Sequence, residues 1–116
     1  MKLPHREKAH VPIEKIRDYL LAEGHPEGGS KARLLRGLGH DERTIDILIQ
    51  NLLDIAYSGE VSKIVPTTFG TRYQIDGELL TPAGILIGFR TVWLLEGHEE
   101  RPRFITGYPT ALRDKR

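Results

Sequence analysis

A chain of 116 residues, 39% hydrophobic and 28% charged, is the size of one soluble globular domain, too short for two and too apolar to be disordered. It contains no cysteine, which excludes disulfides, thiol chemistry and cysteine zinc sites together. No apolar run approaches the ~20 residues of a membrane-spanning helix and nothing after Met1 resembles a signal peptide, so a cytoplasmic location away from membranes is expected.

The first ten residues mix Lys2, Pro4, Arg6, Glu7 and Lys8 with no helical or strand period, and 1–10 reads as a flexible N-terminal arm. A single α+β domain is expected over 11–110. Pro12 suits a first helical turn, Ile13, Ile16, Tyr19 and Leu20 recur at helical spacing, and Gly24 supplies a stop. His25-Pro26-Glu27-Gly28-Gly29 forms a turn, and Ser30 can cap a short helix through Leu34, Leu35 and Leu38 that stops at Gly39. Asp41 can cap a third helix reaching Ser58, whose stripe Ile45, Leu48, Ile49, Leu52, Leu53 and Ala56 needs a surface to pack on.

After Gly59 the hydrophobic period changes to two. Strands are predicted at Val61–Val65, Thr71–Asp76, Ile85–Leu95 and Arg103–Tyr108, with turns at Phe69-Gly70, Asp76-Gly77 and Pro82-Ala83-Gly84. Short links favour an antiparallel meander. The third strand is apolar on both faces, which predicts a central strand covered on both sides for part of its length. The expected fold is α+β, with three N-terminal helices packed on a four-stranded antiparallel sheet. Residues 111–116 form a basic C-terminal tail.

The net charge of +1 does not announce a nucleic-acid binder, but its distribution is uneven. Residues 41–60 carry Asp41, Glu42, Asp46, Asp54 and Glu60 against Arg43, whereas 101–116 carry Arg101, Arg103, Arg113, Lys115 and Arg116 against Asp114. Either the molecule has an acidic and a basic side, or both runs are solvated faces.

Chemistry concentrates in two places. Gly28, Gly29, Ser30 and Lys31 open a helix, where unpaired N–H groups and a lysine suit a phosphate; the alternative is an ordinary turn with a capping serine. Because the order is Gly-Ser-Lys and a helix precedes it, nucleoside triphosphate hydrolysis is excluded. His5, His10, His25, His40 and His98 show no metal-ligand spacing on a helix, so no metal and no cofactor is expected. His40 reads as part of an interhelical turn, and no serine elbow is present.

The second place is the hairpin from Arg90 to Pro109, whose apolar strands carry Arg90, Arg103, Thr106 and Tyr108. Metal-independent cleavage of RNA needs a base for the 2′-hydroxyl, an acid for the leaving oxygen, and donors or cations for the phosphate. His25 can serve as base or acid, Lys31 and Arg90 as cations, and Thr106 and Tyr108 as donors, with Ser30, Arg72 and Arg103 as further binding groups. The alternative keeps Thr106 and Tyr108 as sheet residues and the arginines as ion pairs with Glu78 or Glu96. Since an arginine in an apolar strand is costly unless its donors are met, the expected register puts Arg90 on one face with Thr106 and Tyr108, beside Val92, Leu94 and Phe104 and facing the His25–Lys31 turn.

The order Gly70-Thr71-Arg72-Tyr73, Arg90-Thr91-Val92-Trp93 and Pro102-Arg103-Phe104-Ile105-Thr106-Gly107-Tyr108-Pro109, preceded by His25-Pro26 and Ser30-Lys31-Ala32, resembles an uncharacterised bacterial family, a domain of unknown function. That family occurs as small stand-alone proteins and as the last domain of larger toxin-like proteins. It usually has Phe near Leu35 and at the position of His40, and Ala at Gly107. The closing Thr-x-Tyr-Pro strand is also similar to the last strand of ribonuclease toxins of the barnase, colicin and RelE kind. The resemblance implies the toxin of a bacterial toxin–antitoxin pair, acting on RNA and held by an antitoxin or immunity protein. A non-catalytic module binding RNA or protein through the same basic sheet face is the other expectation.

Overall fold

The computed structural model describes residues 1–21, 24 and 29–110, leaving the side chains of residues 19, 20 and 29–31 undescribed. Helical segments precede a four-stranded antiparallel sheet, in an α+β arrangement. α1 (Ile13–Lys15) is a single turn that runs on into a π-helical turn, Ile16–Leu20. The first helix expected from the spacing is therefore present over Ile13–Leu20, as one α turn continued by a π-helical turn. α2 spans Gly29–Gly37 and α3 spans Ile45–Ser58.

The entry to α3 is built as its sequence implies. The Asp41 side chain accepts from the Arg43 N–H at 2.8 Å, the Thr44 hydroxyl accepts from the Asp41 N–H at 2.9 Å, and this reciprocal cap opens a 3-10 turn, Glu42–Thr44. Within α3, Ile45, Leu48, Leu52, Ile55 and Ala56 are buried.

The strands β1 (Val61–Thr67), β2 (Gly70–Leu80), β3 (Leu86–Leu95) and β4 (Arg103–Pro109) lie in sequence order across the sheet. The turn expected at Asp76-Gly77 does not form, because β2 continues through it and pairs Gly77 with Phe89. A Cβ at Gly77 would lie 2.9 Å from the Ile55 side chain, so this glycine lets α3 approach the sheet rather than bending the chain. The reversal falls after Leu80, where the Thr81 hydroxyl donates to the Ile85 carbonyl at 2.8 Å and accepts from the Ile85 N–H at 3.2 Å.

One face of the sheet meets the helices. Ile75, Leu79, Ile87, Phe89, Trp93 and Phe104 form one core with Leu35, Leu48, Leu52 and Ile55, and the Trp93 and Phe104 rings meet edge to face at 5.3 Å. Thr91 is buried there without cost in unmet hydrogen bonds: its hydroxyl accepts from the Trp93 indole N–H at 2.8 Å and donates to the Ile75 carbonyl at 2.8 Å. The other face of β3 is not covered as expected. Arg90, Val92 and Leu94 remain part-exposed on it.

The N-terminal stretch, expected as a flexible arm, is pinned to this body. Leu3 is buried in the core, the Met1 carbonyl accepts from the Val61 N–H at 2.8 Å, and the Arg6 guanidinium lies 4.7 Å over the Tyr57 ring. At its end His10 forms a parallel bridge with Arg103: its N–H donates to the Pro102 carbonyl at 2.9 Å and its carbonyl accepts from the Phe104 N–H at 3.0 Å. The basic tail, 111–116, lies outside the described residues, as does the turn 25–28. Among the described residues no helix is long and apolar enough to cross a membrane.

Candidate functional site

The face of the sheet turned away from the helices gathers the polar residues of the hairpin. Because the pairs Arg90↔Tyr108 and Val92↔Thr106 face each other across β3 and β4, Arg90, Thr106 and Tyr108 share that face, in the register expected. β2 extends both rows, with Asp76 opposite Arg90 and Gln74 opposite Val92.

Below Thr106 the register shifts. Trp93 pairs with Phe104 and Leu94 with Arg103, so Ile105 is the extra residue of a β-bulge. The bulge turns Phe104 into the core, not onto the open face where it was expected. It also brings Arg103 out, onto a third row with Leu94 and Arg72. The sequence pattern carried no sign of this shift, which recruits Arg103 to the same surface as Arg90.

The arginines differ in what they already hold. Arg90 donates from Nε to Asp76 Oδ1 at 2.8 Å and from Nη2 to Asp76 Oδ2 at 2.9 Å, a forked pair with Asp76 rather than with Glu78 or Glu96. Asp76 first and then the Tyr108 hydroxyl raise the Arg90 pKa above its ordinary value. A guanidinium has donors only, so in this contact it gives a hydrogen to the Tyr108 oxygen. Arg103 has a looser contact, 3.9 Å to Glu96. Arg72 forms no ion pair with any described residue.

Between the β1–β2 turn and the β3–β4 end, the third row borders a cleft of about 480 Å³ lined by Thr67, Phe69, Arg72, Leu94, Glu96 and Arg103, among others. Lys63 joins Arg72, Gln74 and Val92 around a smaller hollow of about 170 Å³. The open face is thus more basic than the net charge of the chain.

Sequence reasoning missed His10. Its neighbours Ala9 and Val11 pack into the core, and its bridge to Arg103 sets it at the free edge of β4 on the open side. Burial, then the charges of Arg101 and Arg103, lower its pKa against an opposing Glu99. Nothing local in Ala9-His10-Val11 reveals a bridge to a strand ninety residues away.

The other half of the expected site is not brought to this face by the described residues. α2, which carries Ser30 and Lys31, buries Ala32 and Leu35 and so belongs to the helical layer across the sheet from Tyr108. The side chains of Ser30 and Lys31, and all of His25, lie outside the described residues.

Comparisons agree with this architecture. A chain of a solved structure titled "Contact-dependent growth inhibition toxin - immunity protein complex from Klebsiella pneumoniae 342" superposes with a TM-score of 0.73 at 17% identity, covering 94% of this chain and 99% of that one. At that identity the likeness is one of fold. No curated protein matches the chain. A family model described as "Domain of unknown function (DUF6883)" matches residues 2–111, and the chain belongs to that uncharacterised family.

Proposed function

We propose that this chain is a metal-independent endoribonuclease acting as a bacterial toxin, with RNA lying across the open face of the sheet. The observation that carries the reading is the shared face of Arg90, Thr106 and Tyr108, extended by Arg72 and Arg103. In this reading the ribose 2′-hydroxyl gives its proton to a histidine and attacks the adjacent phosphorus. The bond from phosphorus to the 5′-oxygen breaks, that oxygen takes up a proton, and a 2′,3′-cyclic phosphate and a 5′-hydroxyl result. Arg72 and Arg103 neutralise the phosphate, Thr106 and Tyr108 donate to its oxygens, and Arg90 fixes the Tyr108 hydroxyl. His10 and His25 are the two histidines assigned to proton transfer, with Ser30 and Lys31 as further phosphate contacts. The structural neighbour's title supports a toxin with an immunity or antitoxin partner.

The test is cleavage of labelled RNA by the purified chain in EDTA. Products ending in 2′,3′-cyclic phosphate, and a loss of activity in Tyr108→Phe, are expected; activity that vanishes in EDTA and returns with zinc or magnesium would overturn the mechanism. A second reading, a binding module without catalysis, is favoured by one observation: the Arg90 fork is already closed on Asp76, as in a structural ion pair. Harmless inducible expression in bacteria, with RNA bound but never cut, would favour that module.

A further inference from the structure

The cleft beside Arg72 and Arg103 mixes features that no simple anion would need. It has two cationic side chains, one carboxylate at Glu96, and apolar walls at Leu94, Ile105 and Phe69. A free phosphate would gain from the arginines but would face Glu96 and leave the apolar surface wet. A ligand with an anionic end and a flat aromatic end matches the whole lining. Its volume, about 480 Å³, lies in the range of ~300–1,000 Å³ typical of small-ligand sites.

Phe69 is the part that a core argument does not explain. It is 75% exposed, the most exposed large hydrophobic side chain among the described residues, and it stands at the tip of the β1–β2 hairpin. The tip itself is held firmly. The Thr67 hydroxyl donates to the Gly70 carbonyl at 2.7 Å and accepts from the Phe69 N–H at 3.1 Å. Gly70 has φ 142°, and a Cβ there would lie 2.5 Å from the Leu95 carbonyl oxygen, so the turn is pressed against the end of β3. An exposed ring on a fixed turn is ready to stack without an ordering cost.

We propose that this cleft is a nucleobase subsite, in which one base of a single-stranded RNA stacks on Phe69 while its attached phosphate lies on Arg72 and Arg103. The proposal rests on the RNA reading above and adds where a nucleotide sits. Stacking on a π-face serves every base, so Phe69 provides affinity rather than sequence preference.

Binding of a fluorescein-labelled 2′-O-methyl RNA oligonucleotide, which cannot be cleaved by 2′-hydroxyl attack, tests it by anisotropy. Phe69→Ala weakens binding roughly five- to 150-fold, the range set by the loss of one base–aromatic stack. Phe69→Trp retains affinity, and Phe69→Leu behaves as Phe69→Ala because an apolar side chain without a π-face does not stack. An abasic oligonucleotide of equal length binds the wild type about as weakly as the full oligonucleotide binds Phe69→Ala. Circular dichroism checks that each variant is folded, which the exposure of the site favours. Unchanged affinity in folded Phe69→Ala, or equal affinity for the abasic strand, overturns the subsite while leaving the nuclease reading intact. Loss of binding to an immunity protein with RNA affinity unchanged overturns it in favour of a protein-docking role. If the wild type neither binds nor cuts RNA, the subsite and the reading beneath it fall together.

Discussion

The two faces of β3 are made by alternate residues of one short run, and they do opposite work. Inward, Thr91 and Trp93 close a saturated relay from the Ile75 carbonyl to the indole, and the ring packs on Phe104. Outward, Arg90, Val92 and Leu94 remain part-exposed among the described residues, in the rows that hold Tyr108, Thr106 and Arg103. The Arg-Thr-Val-Trp motif therefore holds two messages in four residues. The comparison teaches that residue type alone does not separate structure from function here, since each face includes a threonine from the hairpin.

Substitutions on the two faces should fail in different assays. The largest effect is expected inward: Trp93→Ala removes a fully buried ring and its edge contact, and should cost about 3–5 kcal/mol in chemical denaturation. Outward changes should leave the unfolding midpoint nearly unchanged. If the proposed mechanism holds, Tyr108→Phe deletes one donor to the phosphate and should slow cleavage about 100-fold or more in single-turnover assays. Arg90→Lys should slow it about tenfold, because a lysine cannot keep the fork to Asp76 while also holding the Tyr108 oxygen. A variant that loses both activity and folding would erase the distinction between the faces.

Arg72 offers a finer measure of the open face. Unpaired with any described residue, it has little structural reason to be charged. Arg72→Ala should weaken RNA binding severalfold across unrelated sequences and lower the slope of log affinity against log salt by about one. A salt slope identical to the wild type would remove Arg72 from the interface.

How much of this was legible depends on how local the cause was. The α3 stripe, the Asp41 cap and the period-two strands are written in adjacent residues, and the cost of an unmet arginine was enough to choose the register that pairs Arg90 with Tyr108. Gly77 was misread because its reason is Ile55 on another element, while Asp-Gly in isolation is a turn signal. The bulge at Ile105 shifts register by one residue within an apolar strand, so Phe104 and Arg103 exchanged faces relative to a regular alternation. His10 entered the candidate site through backbone bonds to β4, for which side-chain patterning is silent.

The smallest expected effect lies back on the covered side, at His40. Its ring is 1% exposed, and Nδ1 lies 3.0 Å from the Thr44 hydroxyl. That hydroxyl also contacts the Asp41 carbonyl at 3.0 Å, the direction of the Nδ1 contact follows the imidazole tautomer, and Nε2 is buried with no hydrogen-bond partner among the described residues. Charging the imidazole would place a cation in this buried site. Burial accordingly lowers the His40 pKa from 6.5, against a smaller opposing pull from Asp41. The folded state then binds fewer protons than the unfolded chain, so stability is fully present above about pH 6.5 and declines as the pH falls below it. Phe, the residue the family resemblance places here, removes both the unpartnered Nε2 and the Thr44 bond. His40→Phe should therefore change stability at pH 8 by less than about 1 kcal/mol, since one lost hydrogen bond offsets one relieved buried nitrogen. Between pH 6.5 and 5 the variant should lose less stability than the wild type in thermal unfolding. Some decline remains because the His10 pKa is lowered in the same direction. Parallel pH profiles for the two proteins would mean that His40 already titrates normally in the folded state.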